Sequence, residues 1–287
     1  MNLVENVYKV AQEFMKNPLE VELNYEQIEK TANEMLSYGK LGFPESYRNE
    51  DVFKAALLEL VASSINYCYW YGKDTVRPNG SSSALLYECI GNAFFDYTEV
   101  DQQKFNICLT RLINLLISNR FPLLEERMYH LHQLRLYAED FTQKIMKNND
   151  IENINDLMLE LITLFPGFSS DIFLKRTFLF FMQMNRRFGW FEKAIQDMPV
   201  AADYQVPKML EHFGCISYCP ELKRQISFRK LIPKGSIEEC EIRSATILAC
   251  KKLCEITGWN IAEIDGFLWL KRHEVTTPFH LTITTDY

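Results

Sequence analysis

Ser236-Ile-Glu-Glu-Cys-Glu-Ile-Arg-Ser-Ala-Thr-Ile-Leu-Ala-Cys-Lys-Lys-Leu-Cys-Glu-Ile-Thr-Gly258 is bounded like a helix and is apolar on too many sides to lie at a surface. Ser236 with Glu239 reads as a capping box, and Gly258 supplies a stop about six turns later. Between them Ile242, Ala245, Ala249, Leu253 and Ile256 form one stripe, while Cys240, Ile247, Cys250 and Cys254 form a second. A helix that is apolar around most of its circumference belongs at the centre of a mainly α fold, with other helices packed around it.

Working outward, Asn260-Ile-Ala-Glu263 repeats the capping pattern and opens a last helix to about Lys271. In it Asp265 follows Ile261 by four residues and precedes Leu268 and Trp269, which puts a carboxylate on an apolar face. An unpaired buried charge is costly, so Asp265 calls for a partner, a proton or a ligand, and Arg243 is the structural partner the sequence offers. The tail after His280 alternates as a short strand or an extended segment would.

Towards the amino end, residues 1–40 read as two amphipathic helices, with Val4, Val7, Tyr8, Ala11 and Phe14 on one face and Ile28, Ala32 and Leu36 on the next. The turn Gly42-Phe-Pro-Glu-Ser46 leads to a helix from Asp51 to about Ile65, then to the aromatic run Asn66-Tyr-Cys-Tyr-Trp70 and a polar segment over 71–83. Aromatics beside a polar loop suit either a pocket wall or plain core. Further helices are expected over 84–95, over 101–118, and from Phe121-Pro-Leu-Leu-Glu-Glu-Arg127 to about Lys147. Asp150 to Asn155 is the one polar junction. The chain is therefore read as a single compact domain over 1–287, with helical halves 1–150 and 151–287 and a pocket between them. Past a helix over 154–164 and the turn Phe165-Pro-Gly-Phe168, Ser169 to Met182 reads as an aromatic-rich helix carrying Lys175 and Arg176. A lysine there either snorkels outward or faces an anion.

Pro199-Val-Ala-Ala-Asp-Tyr-Gln-Val-Pro-Lys-Met-Leu210 sets Asp203 just ahead of a helix beginning near Pro207. Two readings fit this spacing: Asp203 caps backbone donors, or it is a carboxylate placed for chemistry.

Composition narrows the options. The 287 residues are 47% hydrophobic, enough for a sizeable core, and a net charge of −7 argues against binding duplex nucleic acid. No run of about 18 apolar residues and no signal-like amino end occur, so a soluble, cytoplasmic protein is expected. The eight cysteines are scattered through apolar surroundings and lack C-x-x-C pairs, and the five histidines do not cluster, so neither a metal nor another cofactor is expected. P-loop, dinucleotide, H-E-x-x-H and G-x-S-x-G motifs are absent. What remains is carboxylates with aromatics. That set fits glycosidic bond cleavage, where a carboxylate stabilises positive charge on the sugar, and it equally fits recognition of a guanine-like edge.

The motifs also carry a resemblance. Ala202-Asp-Tyr-Gln-Val-Pro207, Phe213-Gly-Cys-Ile-Ser-Tyr218, Gly235 to Arg243, Asp265-Gly-Phe-Leu-Trp269, Pro278-Phe-His280 and Tyr287 resemble the queuosine salvage proteins. Upstream, Asn66 to Trp70, Pro122 to Arg127, Phe165 to Phe168 and Lys175-Arg176 fall in matching order, so the resemblance covers about residues 50–287. It implies a helical bundle similar to helix-hairpin-helix DNA glycosylases with a few short strands. The implied activity is hydrolysis of queuosine 5′-monophosphate, which releases queuine for return to transfer RNA. It further implies Asp203 as the catalytic carboxylate, Asp265 as the base contact with Tyr67 or Trp70 packed nearby, and Lys175 at the 5′-phosphate. Tyr204, Trp269 and His280 join them as substrate-binding positions. The partner so implied is a small-molecule nucleotide or nucleoside. Three positions depart from the family pattern: Ala201 replaces a phenylalanine, Leu270 an acidic residue and Leu281 a basic one. The alternatives are a non-catalytic protein that binds a modified base and, from the fold alone, a DNA base-excision protein.

Overall fold

The computed structural model describes residues 2–41, 51–71, 74–76 and 81–287. The expected turn at 42–46 and much of the polar segment 71–83 lie outside them. Thirteen α-helices and four short strands are found among the described residues. In chain order the first part runs α1 (Leu3–Phe14), β1 (Val21–Leu23), α2 (Tyr25–Tyr38), α3 (Val52–Ser64), β2 (Trp70–Tyr71) and β3 (Asp74–Thr75). There follow α4 (Ser82–Ala93), α5 (Gln102–Ser118), α6 (Leu124–Gln133), α7 (Ala138–Lys147) and α8 (Asn155–Leu164). A 3₁₀ turn at Pro166–Ser169 leads to α9 (Lys175–Phe188), α10 (Gln205–His212), β4 (Ile216–Tyr218), α11 (Pro220–Ser227), α12 (Ile237–Thr257) and α13 (Ile261–Lys271).

The fold is mainly α, and α12 is its centre. Both its apolar stripes are buried up to Leu253, with Cys254 and Ile256 half-buried in the last turn, and α1, α2, α10 and α13 pack on it. Gly258 ends it in the left-handed conformation that glycine adopts without a Cβ penalty. The cap at its start departs from expectation. Ser236 accepts from the Glu239 N–H, but the Glu239 carboxylate turns to the Gly235 N–H and to Arg243, one turn on. At α13 both halves of the capping box form between Asn260 and Glu263.

Residue Glu241, also on α12, is 2% exposed. Its carboxylate accepts from the N–H groups of Leu19, Glu20 and Val21, and so fixes the connection between α1 and α2 onto the central helix. Next to this connection β1 pairs antiparallel with β4, Val21 opposite Tyr218. The inner face of α2 is Ile28, Thr31, Ala32 and Met35, whereas Leu36 is left exposed.

Two helices differ from the sequence reading. The segment 124–147 is two helices, because around Leu134–Tyr137 the bonds tighten to i→i+3, Leu134 N to Leu131 O and Arg135 N to His132 O. The aromatic-rich helix starts at Lys175 instead of Ser169, after Leu174 takes a left-handed φ of 50°. Asp171 takes up the free donors there, with Oδ1 accepting from Phe173 N and Oδ2 from Lys175 N. The tail beyond His280 forms no strand and makes one parallel bridge, Leu231 to Leu281, among the described residues.

Candidate active site

A cavity of about 330 Å³ opens between α4, α9, α13 and the segment leading into α10. On α9 the residues Lys175, Leu179, Gln183 and Arg186 recur every three to four positions and form the stripe that faces it. Asp265, Trp269 and Leu270 come from α13, Tyr87 from α4, and Ala201, Asp203 and Tyr204 from the approach to α10.

Asp203 divides its two oxygens. Oδ1 accepts from Gln205 N at 2.7 Å and Val206 N at 3.1 Å, so this oxygen caps α10. Among the described residues Oδ2 has no hydrogen-bond partner and Asp203 makes no ion pair. Burial pushes its carboxyl above the usual carboxylate range; the Lys175 ammonium opposes that shift and the Asp265 charge adds to it. Helix α10 starts at Gln205, two residues before Pro207, which fits the first turn.

Lys175 is 4% exposed and lies in the first turn of α9, where its Nζ donates to the carbonyl of Asn66 at 3.1 Å. Burial brings its pKa from 10.5 down to about 8, against the pull of Asp203 and Asp265. At neutral pH it is still mostly an ammonium. Of the two expectations, snorkelling fails and facing an anion holds: the buried cation shares a cavity with two carboxylates without a direct ion pair among the described residues.

Asp265 is not held by Arg243. Its Oδ2 accepts from Arg186, which also donates to the Ala262 carbonyl at 3.0 Å, while Oδ1 has no partner among the described residues. Arg186 reaches it because α9 packs on α13. The Arg243 fork is engaged elsewhere, donating to Asp171 Oδ1 at 2.9 Å and Oδ2 at 2.6 Å. Its Nε donates to the Ala202 carbonyl, and its guanidinium lies between the rings of Phe173 and Tyr287. One arginine on the central helix thus fixes both the start of α9, which carries Lys175, and the residue before Asp203.

Five of the eight expected site positions meet at this cavity: Asp203, Asp265, Lys175, Tyr204 and Trp269. Tyr67, Trp70 and His280 do not line it. Trp70 is 1% exposed and packs edge-on against Tyr204 at 4.8 Å, with Phe279 behind both, so it backs the wall. Tyr67 is fully buried and bonds to His130. His280 bonds to the Tyr287 hydroxyl, and burial with the nearby Arg243 charge pushes its imidazole down to about 3, leaving it neutral. Tyr69, Tyr87, Gln183 and Arg186 line the cavity without having been singled out. For Gln183 and Arg186 the signal was present, since both continue the Lys175–Leu179 spacing past the point where the helix was expected to stop. Of the departures from the family pattern, Ala201 and Leu270 line the cavity, whereas Leu281 is buried at its backbone bridge to Leu231.

No group of three or more His, Cys, Asp or Glu residues among those described is placed to hold a metal ion, and no described helix is long and apolar enough to cross a membrane. All eight cysteines are unpaired, six of them buried.

Comparison with known proteins decides the family. Residues 47–287 match the family described as queuosine salvage protein. The chain belongs to that family. Its relatives include proteins named queuosine 5′-phosphate N-glycosylase/hydrolase. The one from Dictyostelium discoideum is 25% identical over 258 residues, covering 79% of this chain and 77% of the relative. The one from Sphaerobacter thermophilus is 34% identical over 99 residues, 32% of this chain and 31% of the relative. The one from Schizosaccharomyces pombe is 31% identical over 103 residues, 35% of this chain and 29% of the relative. The matches to the last two thus span about a third of each relative. Within the family-matched region lie the cavity residues named above, the central helix and its Arg243.

Proposed function

We propose that the chain is an N-glycosidase that hydrolyses the glycosidic bond of queuosine 5′-monophosphate, or of a close 7-deazaguanine nucleotide, and releases the free base. The observation that carries this reading is the division of labour within Asp203: one oxygen is fixed by two backbone N–H groups and the other is left without a protein partner at a cavity that also holds Lys175 and Asp265.

The chemistry asks for such a group. A 7-deazapurine has carbon in place of N7 and cannot be helped to leave by protonation there. The barrier is lowered by stabilising the oxocarbenium-like sugar and by placing the attacking water, and an oriented carboxylate in a cavity of restricted polarity does both. The Oδ1 cap holds Asp203 in one rotamer, so no reorganisation is needed as charge develops.

Asp265 reads the base. Arg186 holds Oδ2, and Oδ1 remains for adjacent ring N–H and amino donors of a guanine-like edge. Lys175 is the cation for the 5′-phosphate, a point charge that needs no fixed fork. Tyr204 and Trp269 supply aromatic wall on which a flat base packs. Ala201 and Leu270 leave that wall without a phenylalanine and an acid, so these two positions bear on which base and which phosphorylation state are preferred.

The test is direct. The purified protein is incubated with queuosine, its 5′-monophosphate and ordinary purine nucleotides, and free base is sought by mass spectrometry. Queuine is expected from the monophosphate without added metal or redox cofactor. Binding without any base released over hours would replace the enzyme by a base-binding protein.

A further inference from the structure

Four stretches singled out in the sequence have no part in the chemistry above: Asn66 to Trp70, Pro122 to Arg127, Phe165 to Phe168, and Arg176. The structure gathers them at one place. Residues 65–69 carry the chain from the end of α3 to β2 in neither helix nor strand, and backbone N–H groups reach only two of their carbonyls, Ile65 O from Tyr67 and Tyr69 O from Val76, among the described residues. Cations supply the other donors. Ser64 O accepts from Arg176, Ile65 O from Arg127, Asn66 O from Lys175, and both Tyr67 O and Cys68 O from Arg127. All five acceptors are consecutive, and the three donors are 1%, 0% and 4% exposed for Arg176, Arg127 and Lys175.

The remaining donors extend the grid. Arg127 Nε bonds to Pro122 O at 2.8 Å, and Arg176 also donates to Gly167 O. The Tyr67 ring lies 4.5 Å from the Arg127 guanidinium and 5.0 Å from that of Arg176, and its hydroxyl bonds to His130. A Cβ at Gly167 would come within 2.5 Å of that imidazole, so the turn can approach this closely only as glycine. Among the described residues Arg127 makes no ion pair. A buried guanidinium without a carboxylate is costly, and here its return is a set of charge-assisted bonds to four carbonyls, of which Ile65 O also accepts from the Tyr67 N–H. The fork is needed: a lysine in its place is a point charge that cannot span four carbonyls.

What the grid holds is part of the site. Asn66 and Tyr69 line the same cavity as Asp203, Cys68 between them has a left-handed φ of 34°, and the Asn66 carbonyl is the hydrogen-bond acceptor of the cavity lysine. We infer that Arg127 is a positioning residue for the reaction: it fixes the backbone of 65–69 so that Asn66 and Tyr69 shape the cavity wall and Asn66 O sets the place of the Lys175 ammonium. The inference rests on the proposed activity for its kinetic readout.

The experiment compares the full chain as wild type, Arg127→Lys, and Arg127→Ala with and without added guanidinium at concentrations well below those that denature. Folding is followed by urea melting and affinity for queuosine 5′-monophosphate by calorimetry, and turnover is measured on both the monophosphate and the nucleoside. Arg127→Lys is expected to fold cooperatively yet to lose about 10- to 100-fold in kcat/KM on the monophosphate, as a misplacement of the order of an ångström does. Its loss on the nucleoside is expected to be smaller, because Lys175 serves the phosphate. Added guanidinium is expected to restore part of the activity of Arg127→Ala, and ammonium is not. A folded Arg127→Lys with unchanged kcat/KM and unchanged affinity overturns the inference. So does failure of both variants to fold, since the residue would then hold the whole fold and not the site. Absence of turnover in the wild type would instead sink the functional reading, and the affinities would still decide on Arg127.

Discussion

Asp171 and Asp203 begin alike and end differently. Each stands just before a helix and accepts two backbone N–H bonds there, Asp171 from Phe173 and Lys175, Asp203 from Gln205 and Val206. Asp171 goes on to give both oxygens to the Arg243 fork, whereas Asp203 keeps one oxygen for the cavity. Their acidities follow. Burial alone would raise both, but Arg243 and the backbone donors bring Asp171 below its usual range, while Asp203, where the Lys175 charge and two N–H bonds work against burial and the Asp265 charge, stays above. The lesson is that one local motif serves both a fully paired aspartate and one that keeps an oxygen open to the cavity. What separates them is whether a guanidinium claims the second oxygen.

The strongest way to break this contrast is to make Asp203 into a cap alone. Asp203→Asn keeps an acceptor for the α10 donors and removes the charge, so base release is expected to fall by at least about 10⁴-fold with the urea midpoint nearly unchanged. Wild-type turnover in that variant ends the catalytic assignment. The reciprocal change, Asp171→Ala, leaves the buried Arg243 without its partner and is expected to destabilise the fold by about 3–5 kcal/mol, read as a shifted midpoint in urea. The sign of its pH dependence follows from the depressed carboxyl: the contribution of Asp171 is fully present above its ordinary pKa of 3.8 and is lost as pH falls through the lower folded value. A mild effect of Asp171→Ala at pH 7 would show that Arg243 is satisfied without it.

The smallest effect sharpens the comparison at the residue that Asp171 positions. Lys175→Met is expected to raise KM for the monophosphate by about 10- to 100-fold and to change the nucleoside little, as loss of a charge-assisted bond does. In the wild type kcat/KM for the monophosphate is expected to decline above about pH 8, where Lys175 loses its proton, and the variant is expected to lack that limb. An alkaline limb that survives in Lys175→Met assigns it to another group.

What could be read from the chain was whatever is written locally. The central helix declares itself through Ser236, Gly258 and its double stripe, and Asp51, Asp101 and Asn260 each cap the helix expected after them. Asp203 was legible as standing at a helix start, and the capping reading holds for Oδ1, while the catalytic role proposed above falls to the other oxygen. Features set by distant contacts were not legible. The three-residue strands β1 and β4 gain their identity only by pairing across most of the chain. The break at Leu134–Tyr137 has neither glycine nor proline, and a left-handed leucine at 174 has no signature in sequence, so Asp171 looked like the body of a helix that in fact begins after it. The other end of that helix, which runs on to Phe188 past the expected stop at Met182, hid Arg186 and with it the partner of Asp265.

The carboxylate of Glu241 has a meaning for how the chain folds. It joins residues 19–21 to a helix 220 positions later, and α1 and α2 cover that helix. These two helices precede the central helix by about two hundred positions, and although α1 also touches α8, most of the surface both rest on is absent until the central helix exists. Closing the molecule is therefore an end-to-end event of high contact order, in which the earliest helices wait for the latest and stay exposed to self-association meanwhile.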